Sequence, residues 1–103
     1  MYLKGTLPIL ILHTLADGPN HGYRIARIIK GKSKGVLDFK EGTLYPALHA
    51  LEAKGLVRSY EQVDNGRTRR YYKLTEDGAK VLEKERNEWR RLSSAVSLIL
   101  EGT

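Results

Sequence analysis

Leu56-Val57-Arg58-Ser59-Tyr60-Glu61-Gln62-Val63, then Asp64-Asn65-Gly66-Arg67, then Thr68-Arg69-Arg70-Tyr71-Tyr72-Lys73-Leu74, are two β-rich runs joined through Asn-Gly. Asn and Gly both tolerate the positive φ that a two-residue hairpin turn requires, so this is a strong short-range hairpin signal. The returning run carries Arg67, Arg69 and Arg70, which makes the tip of the hairpin basic. Strand alternation sends Arg69 and Arg70 to opposite faces and puts Arg67 on the side of Arg69, the pair favoured for contact with a polyanion.

Upstream of the hairpin the spacing predicts a helix from about residue 41 to residue 54, stopped by Gly55. Leu44, Leu48 and Leu51 form its inward stripe. The opposite side holds Gly42, Pro46, Ala50 and Ala53, all small, with His49 among them. A solvated face normally carries Lys, Glu or Gln, so a face stripped of bulk suits close approach to another surface. Either a DNA major groove or another part of the same protein fits that description. Pro46 forfeits a bond to the carbonyl of residue 42, but residue 42 is glycine and the crowding is small.

Further upstream, Thr6 with Pro8 reads as a helix start, followed by Leu7, Ile9, Leu10, Ile11, Leu12 and Leu15 on nearly every side. A helix apolar all round must be buried all round. One domain of this size can hardly enclose it, so a partner chain is the expected cover. Asp17-Gly18-Pro19 ends it, and Asn20 is read as the cap of a second helix running to about residue 30. Ile25, Ile28 and Ile29 group on one side of that helix, with Tyr23, Arg27 and Lys30 on the other. Residues 31–35 are a loop and residues 36–39 a very short strand. The loop's Gly31-Lys32-Ser33 is not a phosphate loop: the glycine required five residues earlier is Ala26, and a helix precedes it where a strand is needed.

After the hairpin, Thr75 caps a final helix reaching about residue 100. Leu82, Trp89, Leu92, Val96 and Ile99 recur along it at heptad-like spacings, broken at Glu85. Nothing else in the chain is left to meet this seam. Together with Leu7, Leu10 and Ile11 of the first helix, it is the expected surface of a homodimer, although packing on its own domain is the simpler alternative.

The chain's 103 residues make one domain with a modest core, and its 41% hydrophobic and 29% charged residues exclude wholesale disorder. No apolar run approaches the ~20 residues of a membrane span, and no signal-peptide cleavage pattern follows Lys4. The absence of cysteine removes disulfides and thiolate metal sites and fits a reducing compartment, so a cytoplasmic protein is expected. Residues 1–19 sum to zero charge. Residues 20–73 hold twelve Lys/Arg against five Asp/Glu, net +7, and residues 74–103 hold five against six, net −1. The basic excess is therefore confined to the middle of the chain, as in an electrostatic footprint for a polyanion, though many small domains carry such a charge merely for solubility.

Helix, helix, short strand, helix, basic hairpin, long helix is the order of a winged helix-turn-helix, a mainly α fold with a small β-hairpin. On that order, residues 1–75 are expected to form a DNA-binding domain and residues 76–103 a dimerisation helix. The chain resembles the PadR family of bacterial transcriptional regulators over essentially its whole length. The likeness is carried by Gly5-Thr6-Leu7, His21-Gly22-Tyr23, Glu41-Gly42-Thr43-Leu44-Tyr45-Pro46-Ala47-Leu48, Leu51-Glu52-Ala53-Lys54-Gly55-Leu56, Arg70-Tyr71-Tyr72-Lys73-Leu74-Thr75 and Gly78. The short final helix resembles the compact branch of the family. Lys40 departs from the pattern, standing where the family usually has a small hydroxyl residue to cap the third helix.

If the third helix enters a groove, His49 can read a base edge, while Thr43 and Tyr45 on its flanks bind phosphates. With so few readers, specificity comes substantially from DNA shape and operator symmetry. Tyr23 is either a packed aromatic with a wet hydroxyl or a phosphate ligand. The resemblance favours the second, with Arg27 and Lys30 beside it. It also implies repression as a homodimer on a palindromic site, relieved by a small apolar or aromatic effector. Trp89 either fills the dimer interface or walls the pocket for that effector. The rival readings are a winged-helix module for RNA or for protein. Tyr71-Tyr72 makes a poor stacking platform for single strands, and a protein partner does not require the +7 middle. An enzyme is the weakest reading: no cofactor is called for, and His13, His21 and His49 lie in three separate contexts without acidic neighbours at ligand spacing.

Overall fold

The hairpin forms as its turn residues dictate. In the computed structural model, which describes the backbone of residues 2–102 and the side chains of residues 5–102, β2 (Val57–Asp64) pairs antiparallel with β3 (Arg67–Leu74). The register runs from Val57 opposite Leu74 to Asp64 opposite Arg67. Asn65 and Gly66 form the two-residue turn with φ of 50° and 79°, the positive pair that matches the twist of the strands. Val57 and Tyr72 are buried on one face, whereas Tyr60, Arg69 and Tyr71 lie on the other.

A third strand joins this sheet where none was expected. β1 (Asn20–His21) pairs with Tyr72 and Tyr71 of β3, giving the order β1-β3-β2. The expected strand at residues 36–39 is irregular instead, with Val36 exposed and Phe39 buried. Consecutive left-handed residues, Lys34 at φ 55° and Gly35 at φ 84°, turn the chain out of α2 (Gly22–Lys32) and leave that segment off the sheet. Asn20 is therefore a strand residue, not the helix cap. His21 caps α2, its Nδ1 accepting from the Arg24 N–H at 3.3 Å.

The cover of α1 (Tyr2–Ala16) also corrects the sequence reading. Thr6 and Pro8 are interior, since the helix has begun by Tyr2. The chain itself buries most of this apolar helix, because α2, α3 (Glu41–Ala53), β3 and α4 (Glu76–Glu101) all pack against it. Leu7, Ile11, Leu12 and Leu15 are at most 2% exposed and belong to the core with Ile25, Ile29, Leu44, Leu48 and Leu51. Leu7 and Ile11 are thus core residues and not a free surface for a partner; Leu10 and Ile9 are only partly buried. Leu82 likewise belongs to the core, although it starts the heptad-like seam. His13 is exposed and accepts from the Arg86 guanidinium at 2.5 Å, tying α1 to α4.

α3 begins at Lys40 without a side-chain cap, as the lysine implies. It ends in a Schellman turn: Gly55 has φ 75°, and the Leu56 N–H reaches the Leu51 carbonyl at 3.0 Å. α4 starts on that turn. The Thr75 hydroxyl accepts from the Gly78 N–H at 3.0 Å and donates to the Gly55 carbonyl at 2.7 Å, while the Thr75 N–H bonds the Leu56 carbonyl at 3.1 Å. Beyond its first turns α4 leaves the body of the domain. Trp89 is 49% exposed, Val96 42% and Ile99 80%, and Leu92 is exposed with them.

Candidate nucleic-acid interface

The side of α3 that lacks bulk is left uncovered by the rest of the chain. Gly42, Thr43, Pro46, His49, Ala50 and Ala53 are all exposed. Packing within the same chain is therefore not the reason for their small size. Tyr45 differs from its neighbours: it is half-buried, and a Cβ on Gly22 would lie 2.8 Å from its ring and hydroxyl oxygen. The ring thus lies on the first turn of α2 in a space that only glycine leaves open, with His49 at 6.5 Å between ring centroids.

From α2, Tyr23 projects outward at 56% exposure, and the Arg27 guanidinium sits 5.7 Å from its ring centroid, a cation–π contact that holds both. Lys30, grouped with them by the helical wheel, is instead paired with Asp38 at 3.5 Å. His21 links this patch to the sheet, its ring parallel to Tyr23 at 6.4 Å and edge-on to Tyr71 at 5.5 Å. Tyr60 stacks on Tyr71 in turn at 5.8 Å.

On the hairpin, Arg67 and Arg69 share the Tyr71 face and Arg70 faces the other way. Arg70 is engaged there, with Glu61 at 3.4 Å and the Ser59 hydroxyl at 3.1 Å. Ser59 donates onward to Glu52 of α3 at 2.5 Å, so Arg70 helps fix the wing to the helix. Asp64 accepts from the Tyr71 hydroxyl and, at 3.0 Å, from Gln62; these bonds hold its carboxyl below the usual carboxylate range. Partial burial, with Arg69 and Arg24 nearby, holds the His21 imidazole below its ordinary value against the opposite pull of Asp64.

Sequence reading missed Arg24 and the placement of His21. Both line an open cleft of about 390 Å³ with Tyr23, Arg27, Ile28 and Arg69. The helical wheel puts Arg24 on the flank of α2, and only the pairing of β1 with β3 brings that flank beside Arg69. Trp89 lies elsewhere, on an apolar groove of about 550 Å³ between α1 and α4 that also touches Ile9, Leu12, Leu51 and Leu92.

A helix with an uncovered, bulk-free face, a second helix packed across its start, and an arginine-bearing hairpin beside them define a winged helix-turn-helix DNA-binding domain. The transcriptional regulator PadR-like family matches residues 11–84, and the chain belongs to that family. It is 36% identical to a transcriptional regulator of Mycobacterium tuberculosis, over 92% of this chain and 86% of that protein. Among solved structures, a transcriptional regulator from Clostridium thermocellum superposes with a TM-score of 0.86 at 30% identity, covering 92% of this chain and 93% of that one. A PadR family transcription regulator from Clostridium difficile gives 0.80 at 34% identity, covering 92% and 98%. The chain is accordingly a DNA-binding transcriptional regulator and not an enzyme. Among the described residues, no helix is long and apolar enough to cross a membrane.

Proposed function

We propose that the protein is a cytoplasmic, homodimeric repressor that binds a palindromic operator and releases it on binding a small apolar or aromatic effector. The observation that carries the DNA part is the uncovered small-residue face of α3, in a domain whose α2 and β3 bring Tyr23, Arg27 and Arg69 together around one open cleft. In this reading residues 1–75 carry DNA binding and residues 76–103 dimerisation. The exposed seam of Trp89, Leu92, Val96 and Ile99 supports the two-fold pairing, which would present two recognition helices to successive major grooves, ~34 Å apart. The groove against Trp89 supports a site for the effector.

His49 is the polar side chain with two hydrogen-bonding atoms that stands among the small residues of the exposed face of α3, so it reads the base edge, while Thr43 and Tyr45 hold phosphates. His49→Ala is expected to relax preference at one position in each half-site, by about 1–3 kcal/mol of discrimination. Binding to a library of single-base operator variants checks it. Uniform weakening across the library would show that His49 reads no base.

A further inference from the structure

The cleft between the start of α2 and β3 collects cations that have no carboxylate partner. Arg24 and Arg27 enter it from α2 and Arg69 from the hairpin, beside His21. Four other basic side chains of α2, α3's start and the hairpin are paired with carboxylates: Arg70 with Glu61, Lys30 and Lys40 with Asp38, and Lys32 with Asp17. Among the described residues, Arg24, Arg27 and Arg69 have no carboxylate within 4 Å. The nearest acid acting on the cleft, Asp64, is already occupied by Tyr71 and Gln62. The first turn of α2 carries no acidic residue, so its positive end adds to the same field. Burial first, then Arg69 and Arg24 against the opposite pull of Asp64, disfavour protonation of His21 at the edge of the cleft.

Three guanidiniums facing one open concavity match an oxyanion, since their forked N–H donors fit phosphate oxygens. The position of the cleft selects the source. Tyr45 of α3 packs on Gly22, which lies between the cleft residues His21 and Tyr23, and the other wall of the cleft is the strand that leads to the wing tip. On the DNA-binding reading, a backbone passing from the groove of α3 to the groove of the wing would cross this point. We propose that Arg24 and Arg69 grip one and the same phosphodiester of the operator backbone, which docks the wing onto α2. The proposal rests on the DNA-binding reading above and adds to it a single phosphate seat shared by two elements.

A shared seat is non-additive. In the dimer the seat needs both guanidiniums, so Arg24→Gln or Arg69→Gln alone already loses the one shared phosphate of each half-site. Either is expected to weaken operator binding about tenfold per half-site, as for one charge-assisted contact. Each lowers the slope of log affinity against log salt by about two for the dimer, and the double variant lowers it by the same two and not by four. A methylphosphonate placed at each backbone phosphate in turn identifies the seat. At one position per half-site the neutral linkage reproduces the loss in the wild-type protein and costs the double variant nothing more. Multiplicative losses with a slope change of four would mean two separate phosphates and overturn the proposal. Wild-type binding with all three variants unaffected would likewise overturn it while leaving the DNA-binding reading intact. Failure of the wild-type protein to prefer its operator over a random duplex would overturn that reading and the proposal with it. Inorganic phosphate titrated into the free protein and followed by NMR separates the remaining source. Saturable binding lost in the double variant, without an effect of that variant on DNA, would assign the cleft to a free anion. Unchanged melting temperatures establish that the variants are folded.

Discussion

Gly78→Ala is expected to destabilise the fold by about 3 kcal/mol, lowering the melting temperature by roughly 12–24 °C. A Cβ at this position would lie 2.0 Å from the Leu56 carbonyl oxygen, 3.0 Å from its carbon and 2.7 Å from Leu74 Cδ1. The side chain of Leu74 can move, but the backbone of Leu56 cannot do so cheaply. Its N–H closes the Schellman turn on Leu51, and its carbonyl accepts from the Thr75 N–H at 3.1 Å. The adjacent Gly55 carbonyl holds the Thr75 hydroxyl. Relieving the overlap pushes the start of α4 away from the end of α3 and breaks the bonds through which Thr75 fixes both. Overpacking and the lost bonds together outweigh the ~1 kcal/mol by which alanine is the better helix former. Gly31→Ala is the control. It lies inside α2 with nothing within 4 Å of an added Cβ, and it should stabilise by up to ~1 kcal/mol. Thermal denaturation of the two variants checks both signs, and a Gly78→Ala protein as stable as the wild type would mean that α4 does not start against Leu56.

The second large effect is expected from charge on the far half of α4. If the protein is the homodimer proposed above, Trp89→Glu combined with Val96→Glu should convert it to monomers and weaken operator binding by about 10²–10⁴, the factor lost when two linked half-sites act separately. These residues are exposed, so neither glutamate costs the fold its core. In a dimer they would be desolvated, where an unpaired carboxylate is strongly unfavourable. Leu82→Glu, on the same heptad-like row, should behave differently: Leu82 is 4% exposed and packed in the core, so the domain unfolds before any change in assembly is read. Sedimentation velocity beside circular dichroism separates the two results. A folded Trp89→Glu/Val96→Glu protein that remains dimeric would remove the seam from the interface. A monomer with unaltered operator affinity would remove two-fold symmetry from recognition.

The hairpin was the most legible part of the chain because its register depends on local chemistry: Asn65 and Gly66 take the two positive φ values and thereby fix Asp64 opposite Arg67. The inward stripe of Leu44, Leu48 and Leu51 and the Thr75 cap were readable for the same reason, a short periodic pattern or a single hydroxyl at a helix start. The cover of α1 was not. A helix apolar all round announces burial but not by which chain, and here β3 and three helices of the same molecule enclose Leu7 and Ile11. Two residues are too few to show alternation, so β1 left no signal, and its edge position depends on β3 being free to pair. That pairing brings His21 beside Tyr71 and Arg69 beside Arg24. The candidate site was therefore legible where one helix face or one strand face carried it, as for His49 or for Arg67 with Arg69. It was hidden where two distant elements meet.

The most direct test of the account is binding of the protein to the DNA upstream of its own coding sequence and to a random duplex of equal length, each across a salt series. A sequence-selective regulator is expected to hold the upstream DNA at salt concentrations that abolish random binding, by a factor of roughly 10³ or more. Equal affinities falling with the same steep salt slope would reduce the arginine-flanked face to a non-specific basic patch and contradict operator recognition.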